Sequence, residues 1–324
     1  MTSIEPVTAT AMATATAASV TPSIPPLPAD CRLLYVSGDQ SGIGKSSIII
    51  ALLHLLTTRH HIPPSQLAYI KPATQCQDIT TTAKYCHHRH IAHVDLGPVI
   101  FYSGYTQQCI DHTAPDTTDQ RHTNIQAAVH KLAQGKRYVL VDGVGYPAVG
   151  SVCGVSNATV ARLLNAPVLL VSRPGIGNAI DATLYMHTFF LYHRAAVLGV
   201  LFNKLPAVDG VQGSTALTTH SYDNAKHYTT LFFDTYTPHL SVYGHLPLLV
   251  HKPTQPSDGS GGSEVEDDEK AECMIRGGKD GWEWGAGEEQ RLQEWLTLAE
   301  QHIDIEQLVA DIERHYATPT QPPP

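Results

Sequence analysis

Apolar residues in this 324-residue chain gather into short, nearly unbroken runs separated by longer amphipathic stretches. Leu33-Leu34-Tyr35-Val36 and residues 67–70, 138–141, 168–171, 197–202 and 240–243 read as strands. A run that is apolar at every position, rather than at every second one, belongs to a strand buried on both faces. Residues 158–164 and 179–192 suit crossover helices, and Ile48-Ile49-Ile50-Ala51-Leu52-Leu53 opens another soon after the first strand. Strand and helix alternate, which predicts an α/β domain doubly wound around a mostly parallel sheet.

The ends read differently. Residues 1–30 are rich in Ala, Thr and Pro and hold no Lys or Arg, as expected of a disordered tail. The nucleotide-binding domain is expected over residues 31–252. A flexible acidic insertion follows over residues 253–287, where a Ser/Gly stretch runs into Glu264-Val265-Glu266-Asp267-Asp268-Glu269. Over residues 288–316, Leu292, Trp295, Leu296 and Leu298, then Ile305, Leu308, Val309 and Ile312, recur at helical spacing. They predict two terminal helices docked on the domain, with residues 317–324 a disordered end.

Hydrophobic residues make up 42% of the chain, enough for one large core with appendages. The net charge of −9 and the lack of any Lys/Arg block exclude a broad nucleic-acid surface. The first 30 residues offer no apolar run long enough for a signal peptide or a membrane span. Glu5 and Asp30, with no arginine before Arg32, argue against a transit peptide; a cytoplasmic placement is expected, with an organellar one left open. Cys31, Cys76, Cys86, Cys109, Cys153 and Cys273 form no paired motif and read as reduced thiols. Cys86, His87, His88, His90 and His93 read as a solvated histidine-rich end, because a second ligand pair at zinc spacing is lacking.

The chemistry begins where the first strand ends. Gly38-Asp39-Gln40-Ser41-Gly42-Ile43-Gly44-Lys45-Ser46-Ser47 is a glycine-rich loop between strand and helix, with five residues rather than four between Gly38 and Gly44. It reads as a variant P-loop: glycines let backbone N–H groups turn inward on phosphates, Lys45 reaches the β/γ-phosphates, and the Ser46 hydroxyl is placed for Mg²⁺. ATP or GTP is the predicted ligand. Asp142, at the end of the strand over 138–141, is the matching Mg²⁺ carboxylate. Lys71 and Asp78 follow the strand over 67–70, at the carboxyl edge where open α/β sheets bind ligands, and Lys71 suits a substrate carboxylate or a transferring phosphoryl group.

These residues, taken with Arg173-Pro174-Gly175-Ile176-Gly177-Asn178, Gly199-Val200-Leu201-Phe202-Asn203 and Gly244-His245-Leu246-Pro247, resemble the dethiobiotin synthetase-like P-loop family. That family includes the P-loop domain of some phosphate acetyltransferases and belongs with CobQ-, CobB-, MinD- and ParA-type nucleotide-binding domains. The resemblance implies ATP and Mg²⁺ at Lys45 and Ser46, and a reacting carbamate facing Lys71. Asp142 would stand where the family has a glutamate, Asp78 where it has a metal-binding aspartate, and Asn203 and Pro247 would border the purine. It also implies a homodimer and a small amine or carboxylate-bearing substrate.

Val144-Gly145-Tyr146-Pro147-Ala148 stands where the synthetases carry a glycine pair followed by Pro-Leu, so the acceptor side departs from the family pattern. Three readings follow: an ATP-dependent ligase that carboxylates a diamine and closes a ring, a nucleotide-binding regulatory or partner-binding module without that chemistry, and a ParA/MinD-like ATPase switch. The third lacks its usual early loop lysine, since Asp39, Gln40 and Ser41 occupy that region.

Overall fold

The computed structural model describes residues 24–75, 79–94, 96–206, 221–249 and 286–317. Strands β1 (Arg32–Gly38), β2 (Leu67–Ile70), β4 (Ala92–Val94), β6 (Tyr138–Asp142), β7 (Val168–Ser172), β8 (Val197–Leu205) and β9 (Ser241–Pro247) form a seven-stranded sheet in the order β4-β2-β6-β1-β7-β8-β9. Every pairing in it is parallel. β3 (Ala73–Thr74) and β5 (Val99–Ile100) pair separately beside it. The expected doubly wound α/β sheet is therefore present.

Side chains alternate along each strand, and the central strands bury both sets. Leu33 and Tyr35 of β1 enter one core, with α3 (Tyr105–Ile110), α4 (Thr118–Leu132), α5 (Asn157–Leu163), α6 (Gly177–Tyr192) and α7 (Tyr222–Tyr236). Leu34 and Val36 enter the other, with α1 (Lys45–Thr58), α2 (Thr81–His88), α8 (Ala286–His302) and α9 (Ile305–Ala317).

The two terminal helices dock on the P-loop side of the sheet. Trp295 of α8, 1% exposed, donates its indole N–H to the Ser47 carbonyl in the first turn of α1 (3.1 Å). Asp304 N donates to the Tyr243 carbonyl, and Glu313 of α9 holds both Arg32 and the Tyr138 hydroxyl. Helix α8 begins at Ala286, two residues ahead of the expected boundary. Residues 24–30, expected within the tail, are tied down: Leu27 packs on the core, and His130 of α4 and Gln134 just beyond its end bond the carbonyls of Pro25 and Pro26. Residues 1–23, 250–285 and 318–324 lie outside the described residues, as do most of the tail, the acidic insertion and the end. No described helix is long and apolar enough to cross a membrane.

Candidate functional site

β1 lies between β6 and β7 and delivers Gly38 to the carboxyl edge of the sheet. A side chain at Gly38 would put its Cβ 2.5 Å from Ile43 Cγ2, so the tight start of the loop requires glycine. Gly44 closes the loop at φ 97° and caps α1, which leaves the first N–H groups of that helix without intrahelical acceptors. The loop is braced by its carbonyls. Asn203 Nδ2 donates to the Ile43 carbonyl (2.7 Å), Lys204 Nζ to that of Gly42 (2.8 Å), and Arg173 Nε to Asp39 Oδ2 (2.5 Å).

Lys45 folds back over the loop and donates to the Gly145 carbonyl at 2.9 Å. Burial, with Lys71 nearby, pushes its ammonium down to about 8, although Asp142 and Asp39 pull the other way. An ammonium held dry and bonded only to loop carbonyls among the described residues is prepared for an incoming anion.

Asp142 ends β6 and is 1% exposed. Its Oδ2 accepts from the Tyr69 hydroxyl at 3.0 Å and lies 3.9 Å from Lys71 Nζ. Burial and the Asp142 charge raise the Tyr69 phenol well above its ordinary value, so it stays a donor. Asp142 Oδ1 is buried with no hydrogen-bond partner. Such an oxygen carries a desolvation cost that a cation relieves, and a hydroxyl and a carboxylate are the hard-oxygen donors Mg²⁺ takes. Ser46 and Asp142 line the same cleft and fit that ion.

The cleft has a volume of about 640 Å³, and Gly42, Gly44, Lys45, Ser46, Ser47, Lys71 and Asp142 all line it. Gly38 and Ile43 lie beneath the loop instead. Asn203, 2% exposed, braces the loop from behind, where a Cβ on Gly44 would sit 2.3 Å from its Nδ2. Pro247 ends β9 beside Leu205 and is not among the lining residues. Asp78 lies outside the described residues.

The far wall is made by Phe101, Thr106 and residues 144–153. One side chain organises that wall: Asn157, 1% exposed at the start of α5. It accepts from Val144 N (3.0 Å) and the Tyr35 hydroxyl (2.8 Å), and donates to the carbonyls of Val144 (2.8 Å) and Tyr146 (2.7 Å). Gly143 has to be small, because a Cβ there would lie 2.9 Å from Asn157 Oδ1 and 2.8 Å from the Val36 carbonyl. Sequence reading missed Asn157, Tyr69 and Lys204. Only Asn157 carried a local signal, standing just after the Ser156 helix cap.

Comparison with known proteins follows the same lines. The profile of a family described as an AAA domain matches residues 32–254. The ATP-dependent dethiobiotin synthetase BioD of Frankia casuarinae is 28% identical over 182 residues, covering 54% of this chain and 72% of the synthetase. Among solved structures, the signal recognition particle receptor FtsY of Elizabethkingia anophelis in complex with GDP aligns with a TM-score of 0.38 and 13% identity, over 66% of this chain and 56% of the receptor. A nucleotide-binding protein of Archaeoglobus fulgidus in complex with ADP aligns with a TM-score of 0.36 and 12% identity, over 67% of this chain and 82% of its own.

Proposed function

This chain belongs to the AAA-domain family of dethiobiotin synthetase-like P-loop NTPases, and we propose that it binds Mg-ATP in the Lys45–Asp142 cleft and uses it to carboxylate an amine acceptor. The observation that carries the reading is the convergence of Lys45, Lys71 and Asp142 on one cleft, with an oxygen of Asp142 left unpartnered. The reaction has three steps. A diamine takes up CO₂ as a carbamate, ATP phosphorylates the carbamate oxygen, and the second amine attacks the carbonyl carbon and expels phosphate as the ring closes.

Lys45 and Lys71 supply positive charge where charge builds on the moving phosphoryl group, in a setting dry enough for that charge to count. Lys71 lines the same cleft, 3.9 Å from Asp142 Oδ2, and would also meet the carbamate oxygens. Tyr69 fixes the Asp142 carboxylate by its hydrogen bond. Ser46 and Asp142 would hold Mg²⁺, which neutralises phosphate charge when bound. The acceptor enters against Phe101 and residues 144–153.

A nucleotide-binding module without ligase chemistry is the second reading, favoured by residues 144–148, which depart from the synthetase pattern. Phosphate release from Mg-ATP, with and without 7,8-diaminononanoate and bicarbonate, separates the two, with Lys45→Ala as the blank. Acceptor-stimulated release supports the ligase; ATP binding with no stimulation supports the module.

Cys31, Cys86, Cys109 and Cys153 form no disulfide among the described residues, which fits a cytoplasmic placement. A homodimer would find apolar area on α6 and α7, where Tyr185, Tyr192, Leu231 and Tyr236 are 51–81% exposed. Light scattering at twice the chain mass supports that dimer, and a monomer at micromolar concentration rules it out.

A further inference from the structure

The turn that carries Cys153 on the far wall packs against α3, which carries Cys109, and brings the two thiols within hydrogen-bond reach. Cys153 closes the short 3-10 turn Ser151–Cys153, is 2% exposed and lines the cleft. Cys109 stands half-buried on α3 and packs against the same core. Arg121 of α4, itself 4% exposed, fixes this corner. Its Nη1 donates to the Tyr105 hydroxyl (3.0 Å) and Asp116 Oδ1 (2.9 Å) and reaches Cys109 Sγ at 3.5 Å. Its Nη2 donates to the Thr118 hydroxyl (3.2 Å), and Thr118 in turn packs on the turn, where a Cβ on Gly154 would fall 2.5 Å from Thr118 Cγ2. The helix and the turn are thus held together by the same guanidinium.

The cleft chemistry uses neither sulfur. Burial pushes the Cys153 thiol up to about 12, and its hydrogen bond with Cys109 acts in the same direction. The less buried Cys109 is the one a solute reaches first.

We propose that Cys109 and Cys153 are an oxidisable dithiol, closed to a disulfide by a hydroperoxide, which ties α3 to the far wall of the cleft. With hydrogen peroxide, the Cys109 sulfur attacks the O–O bond, becomes a sulfenic acid and releases one water. The Cys153 sulfur then displaces the sulfenic hydroxyl as the second water and forms the S–S bond. Two thiols lose two electrons, the peroxide gains them, and both thiol protons end in water. The proposal goes beyond the ligase reading and stands without it, because the bond forms whether or not the cleft turns over.

The test treats the full chain with hydrogen peroxide, alkylates the remaining thiols and maps the digest by mass spectrometry. A Cys109–Cys153 linked peptide is expected, reversed by dithiothreitol and absent from Cys109→Ser and from Cys153→Ala, while Cys31 and Cys86 stay alkylatable. The affinity of the oxidised protein for Mg-ATP is expected to be unchanged, since Lys45, Ser46 and Asp142 lie outside the tied segments. Both thiols alkylated after peroxide, sulfinic acid accumulating on Cys109 alone, or a link to another cysteine would each overturn the proposal. Failure of Mg-ATP to bind the reduced protein would count against the P-loop reading instead and leave the mapped bond standing.

Discussion

The two halves of the cleft are built by different means. On the phosphate side, Gly38, Lys71 and Asp142 are set at or just beyond the ends of three adjacent parallel strands, and Lys45 opens the helix that follows the loop. Charge dictates each position: two ammonium groups, a buried carboxylate with one free oxygen, and loop carbonyls tied by Asn203 and Lys204. On the acceptor side, residues 143–154 are irregular backbone. Gly145, Gly150 and Gly154 sit at positive φ, Tyr146 and Val152 are more than half exposed, and Asn157 pins the segment by three hydrogen bonds while a fourth, from the Tyr35 hydroxyl, ties it to β1. The fixed charges name the nucleotide. In the proposed reaction the acceptor would meet this wall, whose shape is set apart from the charged half of the cleft.

The largest test of that contrast falls on Lys71, at the seam. Lys71→Ala should leave Mg-ATP affinity nearly intact and lower acceptor-dependent turnover by roughly 10²–10³-fold, the scale of losing one charge aimed at a transition state. Equal losses in ATP affinity and turnover would leave Lys71 no role beyond holding the phosphates. Isothermal titration paired with single-turnover phosphate release reads both.

Asn157→Ala addresses the other half. It leaves Val144 N–H and the carbonyls of Val144 and Tyr146 without their partner, and orphaned buried groups cost roughly 1–3 kcal/mol each. We expect a loss of about 3 kcal/mol in denaturant unfolding, partial relaxation offsetting some of that cost. KM for the amine should rise while Mg-ATP affinity holds. A variant as stable as the parent would remove Asn157 as the organiser of the wall.

The same division explains what the sequence made legible. β1, β6 and β7 are apolar at nearly every position because helices cover both faces of the sheet, and that pattern survives in one dimension. Lys45, Ser46 and Asp142, which the structure brings to one cleft, could be singled out because a glycine-rich loop and a strand end mark such positions at short spacing. Asn203, expected at the purine, also braces the Ile43 carbonyl, a contact across 160 positions that no local pattern encodes. Helix α4 escaped notice because it buries only Arg121, Ile125 and Val129 along 15 residues, too thin a stripe to stand out. The docking of α8 through Trp295 on Ser47 was foreseen as burial but not as a brace on the P-loop helix.

The most direct test of the central claim, that Lys45 is a desolvated ammonium awaiting phosphate, is calorimetric titration of Mg-ATP at pH 8 in two buffers of different ionisation enthalpy. Burial lowers the Lys45 ammonium to about 8 in the free protein, so its proton is loosely held near that pH. Phosphate beside the ammonium favours the charged form, so binding must draw in a proton, and affinity should weaken as pH rises above 8. The account predicts a buffer-dependent enthalpy showing net proton uptake, and no binding by Lys45→Ala. Binding without proton uptake, or with full affinity in Lys45→Ala, would contradict it.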